Sequence, residues 1–351
     1  MPYESNLALG LTPYTAGEQP KDRKFIKLNT NENPYPPSPK VEAALQGKVD
    51  RLRLYPDMEA TALREAIAKV NGLKPENVFC GNGSDEVLAF AFAAFFAGKK
   101  LLAPDITYSF YPVYSQLFGV DYQTVPLLAD FSVDVDGLMQ GCPVALANPN
   151  APTGILLDKV EVRRLAAHCR ANDAVLLVDE AYAAFAPENA VDLLAEFDNL
   201  LIVRTFSKSH ALAGMRVGYA LANERLIQAM RCIRDSFNSY PLDLLAQSAA
   251  EAAILDAEYT AKTVGLVVAA RDKCRAALTA AGITVLPSCT NFLFVKADPV
   301  DAKAIQLALR AEGILVRHFS APKLAPWLRV TVGTTEDMEI VTEALIRNIK
   351  R

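Results

Sequence analysis

The stretch of the sequence with the clearest chemical potential is TFSKSHALAGMR, residues 205–216. It follows residues 200–203 (LLIV), an apolar run that predicts a buried strand. The amine of Lys208 can form a Schiff base with an aldehyde, and the hydroxyls and the arginine around it are groups that hold the phosphate of a cofactor. A solvated lysine in a turn explains the same residues equally well, so this stretch alone leaves both interpretations open.

Two further polar residues, Asp179 and Tyr182, come after another apolar run, residues 175–178. Ligands in open parallel sheets bind at the carboxyl ends of the strands. An acid at such a strand end can pair with a ring nitrogen that must carry a proton. A helix cap is an equally good explanation of Asp179 taken alone.

The segment GNGSDE, residues 81–86, joins a short predicted strand at 78–80 to an apolar helix at 87–97. Glycines let a backbone approach a ligand closely, and the free N–H groups of a helix N-terminus bind phosphate. A turn capped by Ser84 or Asp85 is the alternative. A dinucleotide fingerprint needs glycine at the position of Glu86, which disfavours a nicotinamide-dependent dehydrogenase.

Aromatic and basic residues supply the remaining candidates. Four aromatic residues, at 108, 110, 111 and 114, follow the predicted strand 101–104; one of them is expected to stack on a flat cofactor, and the other three are expected in the core. Arg317 and Arg329 each lie on a short apolar strand. A guanidinium on an apolar strand is expected to bind an anionic partner, unless the position is at an exposed edge of the sheet.

The elements that must position these groups divide the 351 residues into two predicted lobes. Strands and helices alternate from residue 30 to 240, which predicts an α/β domain with a mostly parallel sheet covered by helices on both faces. A helical run at 243–280 then leads to a small α+β domain, with strands at 283–286, 291–296, 313–319 and 327–333 and helices at 301–312 and 335–350. We assign residues 30–250 to the large domain. An irregular N-terminal arm, residues 1–29, joins residues 251–351 in the small one.

Composition argues against several classes of protein. The net charge of −4, from 36 basic and 40 acidic side chains without a basic arm, argues against nucleic acid as a partner. Six scattered cysteines without a C-x-x-C pair argue against a zinc site and a disulfide framework. No apolar run approaches the ~20 residues of a membrane span, and the first residues do not form a signal peptide. We therefore expect a cytoplasmic protein that binds neither a membrane nor a metal.

The order of these pieces resembles that of the fold-type I aminotransferases, which depend on pyridoxal 5'-phosphate. A glycine loop, an aromatic residue, an Asn-Pro loop, Asp-x-x-Tyr and Ser-Lys follow one another, with Arg216 eight residues after Lys208. Within this family the chain is similar to the histidinol-phosphate aminotransferases. The similarity runs from about Leu11 to the end and rests on segments 11–14, 28–34, 55–57, 81–86, 179–182 and 328–334.

The resemblance implies a role for each candidate. Lys208 would bind the cofactor covalently and move the proton between the substrate Cα and the cofactor C4′. Asp179 would keep the pyridine nitrogen protonated, Tyr182 would hydrogen-bond the ring hydroxyl, and Tyr108 would stack on the ring. The phosphate would lie on the backbone of Gly83, Ser84 and Asp85, among Thr205, Ser207 and Arg216.

The same resemblance implies the reaction and the assembly. It indicates transamination of L-histidinol phosphate with 2-oxoglutarate in histidine biosynthesis, by a homodimer with shared active sites. Tyr14, Asn33, Arg317 and Arg329 would contact the substrate, together with the partner subunit's Tyr55. An aromatic amino acid aminotransferase and a threonine-phosphate decarboxylase on the same scaffold remain alternatives. A cofactor-sensing regulator is disfavoured, because the chain is acidic and shows only a short arm before the large domain.

Two positions depart from the family pattern. Ala151 stands just before Pro-Thr-Gly, where the family usually has an asparagine that contacts the ring hydroxyl. Asn150 or Asn148 is a candidate to replace that contact, and Tyr182 acting alone is the alternative. His210 stands where the family tends to carry an aromatic or small residue, and we expect it to pack against its neighbours.

Overall fold

Regular elements occur in the N-terminal segment that the sequence predicts to be irregular. The computed structural model describes residues 3–14, 17–20 and 23–350, so residues 1–2, 15–16 and 21–22 of the predicted arm lie outside the described residues. Helix α1 spans Asn6–Gly10, strand β1 spans Ile26–Leu28, and helix α2 follows at Pro39–Leu45. Ser5 and Ser38 cap the two helices, each accepting a backbone N–H through its hydroxyl oxygen.

The larger sheet has seven strands: β2 (Val78–Asn82), β3 (Lys100–Pro104), β4 (Asp121–Val125), β5 (Val144–Ala147), β6 (Leu176–Asp179), β7 (Leu200–Thr205) and β8 (Val217–Ala222). They lie in the order β2-β8-β7-β6-β5-β3-β4, and only β8 runs against its neighbours. The carboxyl ends of β5, β6 and β7 therefore meet at one edge of the sheet, which is where ligands bind in parallel sheets.

Helices cover both faces of this sheet, which explains why its central strands are apolar throughout. They are α3 (Thr61–Asn71), α4 (Gly83–Ala91), α5 (Tyr111–Phe118), α6 (Val135–Leu138), α7 (Lys159–Ala171), α8 (Glu224–Phe237) and α9 (Leu244–Ile254). Along β6, Leu176 and Val178 pack into one core with α3, α7 and α9, whereas Leu177 packs into a second core with α4, α5 and α8. Successive side chains of a strand point to opposite faces, so one strand serves both cores.

The helices differ from the sequence prediction in two places. The apolar helix predicted at 87–97 already begins at Gly83, and it continues beyond α4 as a turn of π-helix at Phe92–Phe96. The run predicted at 243–280 is two helices, α9 and α10 (Ala257–Ala280). The break falls at Asp256, whose carboxylate accepts hydrogen bonds from Ser38 and Lys40 at the start of α2.

The smaller sheet has four strands in the order β1-β10-β11-β9, where β9 is Phe292–Lys296, β10 is Ile314–His318 and β11 is Trp327–Thr331. Strand β1 is parallel to β10, and the other pairs are antiparallel. Helix α10 packs with α11 (Ala302–Ala311) and α12 (Thr335–Ile349) in the core of this sheet. The division into two domains with boundaries near residues 30 and 250 stays a prediction.

The strand predicted at residues 283–286 is wrong. These residues form only an isolated bridge, between Val285 and Val295 of β9. Two backbone hydrogen bonds flank the bridge, from the Leu286 N–H to the Phe294 carbonyl at 3.0 Å and from the Lys296 N–H to the Thr284 carbonyl at 2.8 Å. None of the helices in the described residues has the length and apolar content that crossing a membrane requires.

Candidate active site

A cavity of about 450 Å³ lies where the carboxyl ends of β5, β6 and β7 meet. Its wall includes most of the residues that the sequence assigns to a cofactor, namely Ser84, Asp85, Tyr108, Asp179, Tyr182, Thr205, Ser207, Lys208 and Arg216. The parallel strands thus bring together residues that are far apart in the sequence.

Lys208 reaches the cavity from the loop that follows β7. Its Nζ donates to the backbone carbonyl of Thr30 at 3.3 Å and lies 5.9 Å from the centroid of the Tyr182 ring. The side-chain amide of Asn33 donates to the carbonyl oxygens of Lys208 and Ser209, at 3.0 and 3.3 Å. Asn33 therefore holds the backbone of the lysine from outside the cavity, which does not support the substrate contact expected of it.

Asp179, the last residue of β6, is 5% exposed. Burial raises the pKa of its carboxyl to about 7, against the lowering effect of hydrogen bonds from the Ala181 N–H and the Tyr111 hydroxyl. Among the described residues, no cation pairs with this carboxylate. A buried acid in this state is stabilised by a positive partner, so the position fits the protonated ring nitrogen of pyridoxal phosphate. The contact of Tyr111 was missed, because the sequence places that residue only in the core.

The start of α4 and strand β8 approach each other closely beside the cavity. Gly83 has a φ of +79°, and a Cβ on Gly218 would lie 2.3 Å from the backbone nitrogen of Ser84. Only glycine at 218 permits this approach. Ser84 and Asp85 line the cavity at the first turn of the helix, and the free N–H groups of a first turn bind phosphate.

Arg216 carries the positive charge beside this helix end. Its Nη2 lies 3.0 Å from one oxygen of Asp85, and the other oxygen accepts the Tyr108 hydroxyl at 2.7 Å. The Arg216 side chain stays 45% exposed, so other N–H groups of its guanidinium are accessible to an anion. Thr205 and Ser207 add two hydroxyls to the same wall, 3.0 Å apart. This donor set fits a phosphate, although Asp85 reduces its net positive charge.

Tyr182 lines the cavity after the end of β6, with its ring edge-on to Phe292 at 5.1 Å. Its hydroxyl oxygen accepts the side-chain amide of Asn31 at 2.8 Å. Asn31 is 1% exposed and belongs to the segment that carries the family resemblance. The motif was therefore visible in the sequence, but its contact with Tyr182 was not.

The loop around Ala151 places the two candidate asparagines away from the cavity. Ala151 lines the wall with its methyl group, whereas neither Asn148 nor Asn150 does. Asn148 forms two hydrogen bonds with the backbone of Leu157, and the amide of Asn150 donates to the Ile106 carbonyl at 3.0 Å. The Asn148 amide stabilises the loop itself, and the Asn150 amide ties the loop to the segment after β3. This geometry does not support the cofactor contact expected of Asn150.

Two arginines face each other in the smaller sheet, since Arg317 on β10 is the register partner of Arg329 on β11. Arg329 donates to the Asn29 carbonyl at 3.0 Å, and its buried Nε has no hydrogen-bond partner in the described part of the chain. Burial lowers the pKa of Arg329, and the charge of Arg317 adds to this effect. The Arg329 guanidinium lies 5.4 Å from the centre of the Phe292 ring, which Tyr182 also contacts, so it is beside the cavity wall.

The two tyrosines expected at the substrate lie outside the cavity of their own chain. Tyr14 packs on Phe110 with ring centroids 4.7 Å apart. Tyr55 is 82% exposed and stacks on Tyr240 at 4.6 Å. Their contacts with a substrate stay predictions.

Three residues of the N-terminal segment line the cavity without having been predicted there: Gln19, Thr30 and Glu32. Glu32 forms an ion pair with Lys27 and accepts the Thr30 hydroxyl at 2.8 Å. Burial acts to raise the pKa of Glu32, but its hydrogen bonds from Lys27 and Thr30 outweigh that effect and lower it. Such a carboxylate stays ionised at neutral pH and gives this side of the cavity a negative group.

His210 is not on the wall of this cavity. Its ring packs on Phe206 with centroids 4.8 Å apart, and its Nδ1 lies 3.0 Å from the Ser209 hydroxyl. Burial, with a smaller effect of Arg204, lowers the pKa of His210 to about 4. A neutral ring held in this way agrees with the packing role expected of it.

The fold and the site together define a class of enzyme. The chain belongs to the class I and II aminotransferase family, which it matches over residues 23–345. It is therefore an aminotransferase, and the predicted α/β fold and family are confirmed.

The similar proteins are named more specifically than the family, as histidinol-phosphate aminotransferases. The histidinol-phosphate aminotransferase of Acetobacter pasteurianus is 51% identical over 344 residues, which cover 97% of this chain and 96% of the relative. Histidinol-phosphate aminotransferase 2 of Psychrobacter arcticus is 48% identical over 97% of this chain and 94% of its own length. The crystal structure of histidinol-phosphate aminotransferase from Sinorhizobium meliloti, in complex with pyridoxal-5'-phosphate, has a TM-score of 0.89 and 27% identity, covering 100% of this chain and 98% of that one.

Proposed function

We propose that the protein binds pyridoxal 5'-phosphate and transfers the amino group of L-histidinol phosphate to 2-oxoglutarate, giving imidazole acetol phosphate and glutamate in histidine biosynthesis. The observation that carries this proposal is the convergence of the Lys208 amine and the buried carboxylate of Asp179 in one cavity. The names of relatives about half identical to this chain support the choice of substrate.

The residues of the cavity have separate tasks. When bound, pyridoxal phosphate supplies an electron-accepting ring that stabilises negative charge at the substrate Cα. Asp179 holds the proton on the ring nitrogen, since its pKa falls when a cation lies beside it. The first turn of α4 and Arg216 hold the phosphate. Lys208 Nζ takes the proton from the substrate Cα and returns it at the cofactor C4′.

The arginine pair of the smaller sheet supplies the substrate's anion site in this proposal. Histidinol phosphate has a phosphate where an amino acid has its carboxylate, and 2-oxoglutarate has two carboxylates. One site must therefore accept both kinds of anion in turn. Arg329 is half-buried, its buried Nε has no hydrogen-bond partner among the described residues, and Arg317 lies opposite it. Guanidinium forks bind carboxylate and phosphate alike through paired hydrogen bonds.

A half-reaction panel tests the choice of substrate. The cofactor-loaded protein is mixed in turn with histidinol phosphate, phenylalanine and threonine phosphate, and the loss of cofactor absorbance is followed. We expect the largest kcat/KM for histidinol phosphate. A preference for phenylalanine would replace the proposal with the aromatic aminotransferase, and release of carbon dioxide from threonine phosphate would replace it with the decarboxylase.

We further propose a two-fold homodimer with shared active sites. Tyr55 is 82% exposed, and other large apolar residues near it in sequence, Val49, Leu52 and Leu54, are exposed as well. Exposed apolar groups of this kind mark interfaces between proteins, and two-fold dimers are the commonest oligomers. The proposal has Tyr55 reaching the cavity of the other subunit.

Subunit mixing tests the shared site. Tyr55→Ala and Lys208→Ala chains, each inactive alone, should regain part of the activity when mixed, because one hybrid site then contains both side chains. Light scattering checks the dimer, and labelled chains check subunit exchange. Absence of recovery after proven exchange would rule out the shared site.

The cytoplasm is the location that we propose for this enzyme. Buried thiols such as Cys80, Cys169 and Cys274 are compatible with a reducing compartment. Cell fractionation with an antibody against the protein tests this, and recovery in a membrane or extracellular fraction would contradict it.

A further inference from the structure

We propose that Asn31 and Thr331 are positioning residues that fix the hydroxyl of Tyr182 as a hydrogen-bond donor toward the ring oxygen of the cofactor. The inference rests on the cofactor assigned under the proposed function, and it is independent of which amine is the substrate. It concerns a contact that the sequence leaves open, since Ala151 has no amide to offer.

Asn31 is held by hydrogen bonds at each of its polar groups. Its backbone N–H donates to the Thr331 hydroxyl at 2.9 Å, and its carbonyl accepts the side-chain amide of Asn291 at 3.0 Å. Its side-chain oxygen accepts the Thr331 hydroxyl at 2.9 Å, and its side-chain nitrogen donates to the Tyr182 hydroxyl at 2.8 Å. Asn31 and Thr331 are each 1% exposed. The backbone of Asn31 has a φ of +57°, a conformation that asparagine tolerates better than most residues.

The position of the Thr331 proton decides which way the amide of Asn31 points. The Thr331 oxygen already accepts the backbone N–H of Asn31, so its own proton needs an acceptor. With the side-chain oxygen of Asn31 on that side, the proton is satisfied. With the amide turned over, two donors would face Thr331 and its buried proton would lose its partner. The hydroxyl of Thr331 therefore holds the NH₂ group of Asn31 against Tyr182.

This orientation determines what Tyr182 can do. A phenol has one proton to donate, and the amide of Asn31 offers Tyr182 a donor and no acceptor. The Tyr182 proton must point elsewhere, and the side chain lines the cavity. Asn148 bonds to Leu157 and Asn150 to Ile106, and neither asparagine lines the cavity. Tyr182 is therefore the side chain of this neighbourhood that can donate to the ring oxygen.

A donor at this place has a measurable consequence. It stabilises negative charge on the ring oxygen, which in turn favours loss of the proton shared with the nitrogen of the lysine–cofactor bond. Loss of the donor should raise the pKa of that proton. A hydrogen bond to a charged group corresponds to a shift of about 1–2 pKa units.

The experiment is a double-mutant cycle read by absorbance, with no substrate present. The visible spectrum of the holoenzyme is titrated with pH for wild type, Asn31→Asp, Tyr182→Phe and the double variant. In the first variant an acceptor replaces the amide donor, so the Tyr182 proton turns toward it and away from the cofactor. We expect Tyr182→Phe to raise the pKa by about 1–2 units. Asn31→Asp should raise it more in the presence of Tyr182 than in the Tyr182→Phe background, where only the added charge acts.

Equal shifts from Asn31→Asp in both backgrounds would overturn the proposal. If Asn31→Asp fails to fold or to bind the cofactor, Thr331→Val and Thr331→Ser test the same proposal without a change of charge. Removal of the hydroxyl in Thr331→Val should raise the pKa, and Thr331→Ser should titrate like wild type. Identical titration of both would equally overturn the proposal. A wild type without a visible lysine–cofactor chromophore would contradict the proposed function instead.

Discussion

The two sheets contribute charges of opposite sign to the site. The larger sheet ends at Asp179, a buried acid whose pKa is raised to about 7. The smaller sheet carries Arg329, a half-buried base whose pKa is lowered, with Arg317 opposite it. Burial disfavours the charged form in both cases. A positive group on a ligand would therefore stabilise the charged form of Asp179, and a negative group would stabilise the charged form of Arg329.

The two regions also differ in how they are built. Residues of the larger sheet lie at the ends of parallel strands, where separate loops converge on one edge. In the smaller sheet, Arg317 and Arg329 meet only through the antiparallel register of β10 and β11. A cross-strand pair of this kind is lost when the register slips by one residue, because every side chain then moves to the other face of the sheet.

The largest effect in the larger sheet is expected at Lys208. Lys208→Ala should abolish turnover and the cofactor adduct that borohydride traps, because no other amine would replace it at the substrate Cα. Lys159→Ala, which removes a surface ion pair with Asp192, is the matched control and should keep both. Trapping of the adduct on another lysine, found by peptide mass spectrometry, would refute the assignment.

The next largest effect on kcat/KM is expected at Asp179, and it should exceed the effect at Tyr182. Asp179→Asn should lose ~4 kcal/mol or more of transition-state stabilisation, because it removes the charge that holds the ring proton. Tyr182→Phe should cost less, since the tyrosine only tunes the ring oxygen. Measurement of kcat/KM for both variants checks this order. Near-normal rates in Asp179→Asn beside an inactive Tyr182→Phe would reverse the two roles.

The charge of Asp179 also predicts the pH dependence of stability in the cofactor-free protein. The pKa of this carboxyl rises from 3.8 to about 7 on folding, so between these values the folded chain binds a proton that the unfolded chain has released. Stability should therefore fall as the pH rises, by about 2 kcal/mol from about pH 5 to about pH 7. Urea unfolding at several pH values measures this. Asp179→Asn should show a flatter profile, and an identical slope in both proteins would contradict the raised pKa.

The smallest effect belongs to the arginine pair. Arg317→Ala should weaken the reaction of histidinol phosphate by roughly 1.5–3 kcal/mol, and that of phenylalanine by less, because phosphate gains most from the guanidinium fork. The ratio of kcat/KM for the two substrates is the measurement. Arg163→Ala, which removes a surface ion pair with Glu196, is the control. Equal losses for both substrates would separate Arg317 from phosphate recognition.

Part of the candidate site could be predicted from short patterns in the sequence. Lys208, Asp179 and Ser84 each come after an apolar run, and the carboxyl ends of parallel strands share one edge, so this pattern predicted a common position for them. Their roles, and the place of Arg216 beside them, came from the family resemblance. The alternation of strands and helices likewise predicted the larger sheet. It missed β4, whose residues are largely exposed and lack an apolar run.

The contacts between distant segments could not be predicted from the sequence and are seen in the folded chain. Asn31 meets Thr331 across 300 residues and Tyr182 across 151, and no periodicity in either segment indicates these pairs. The sequence likewise could not show that the amides of Asn148 and Asn150 turn away from the cavity and bond to Leu157 and Ile106. Apolar periodicity records which face of an element is buried, because burial acts on each side chain separately. A hydrogen bond depends on the distance and angle between two atoms, which are set by the path of the whole chain.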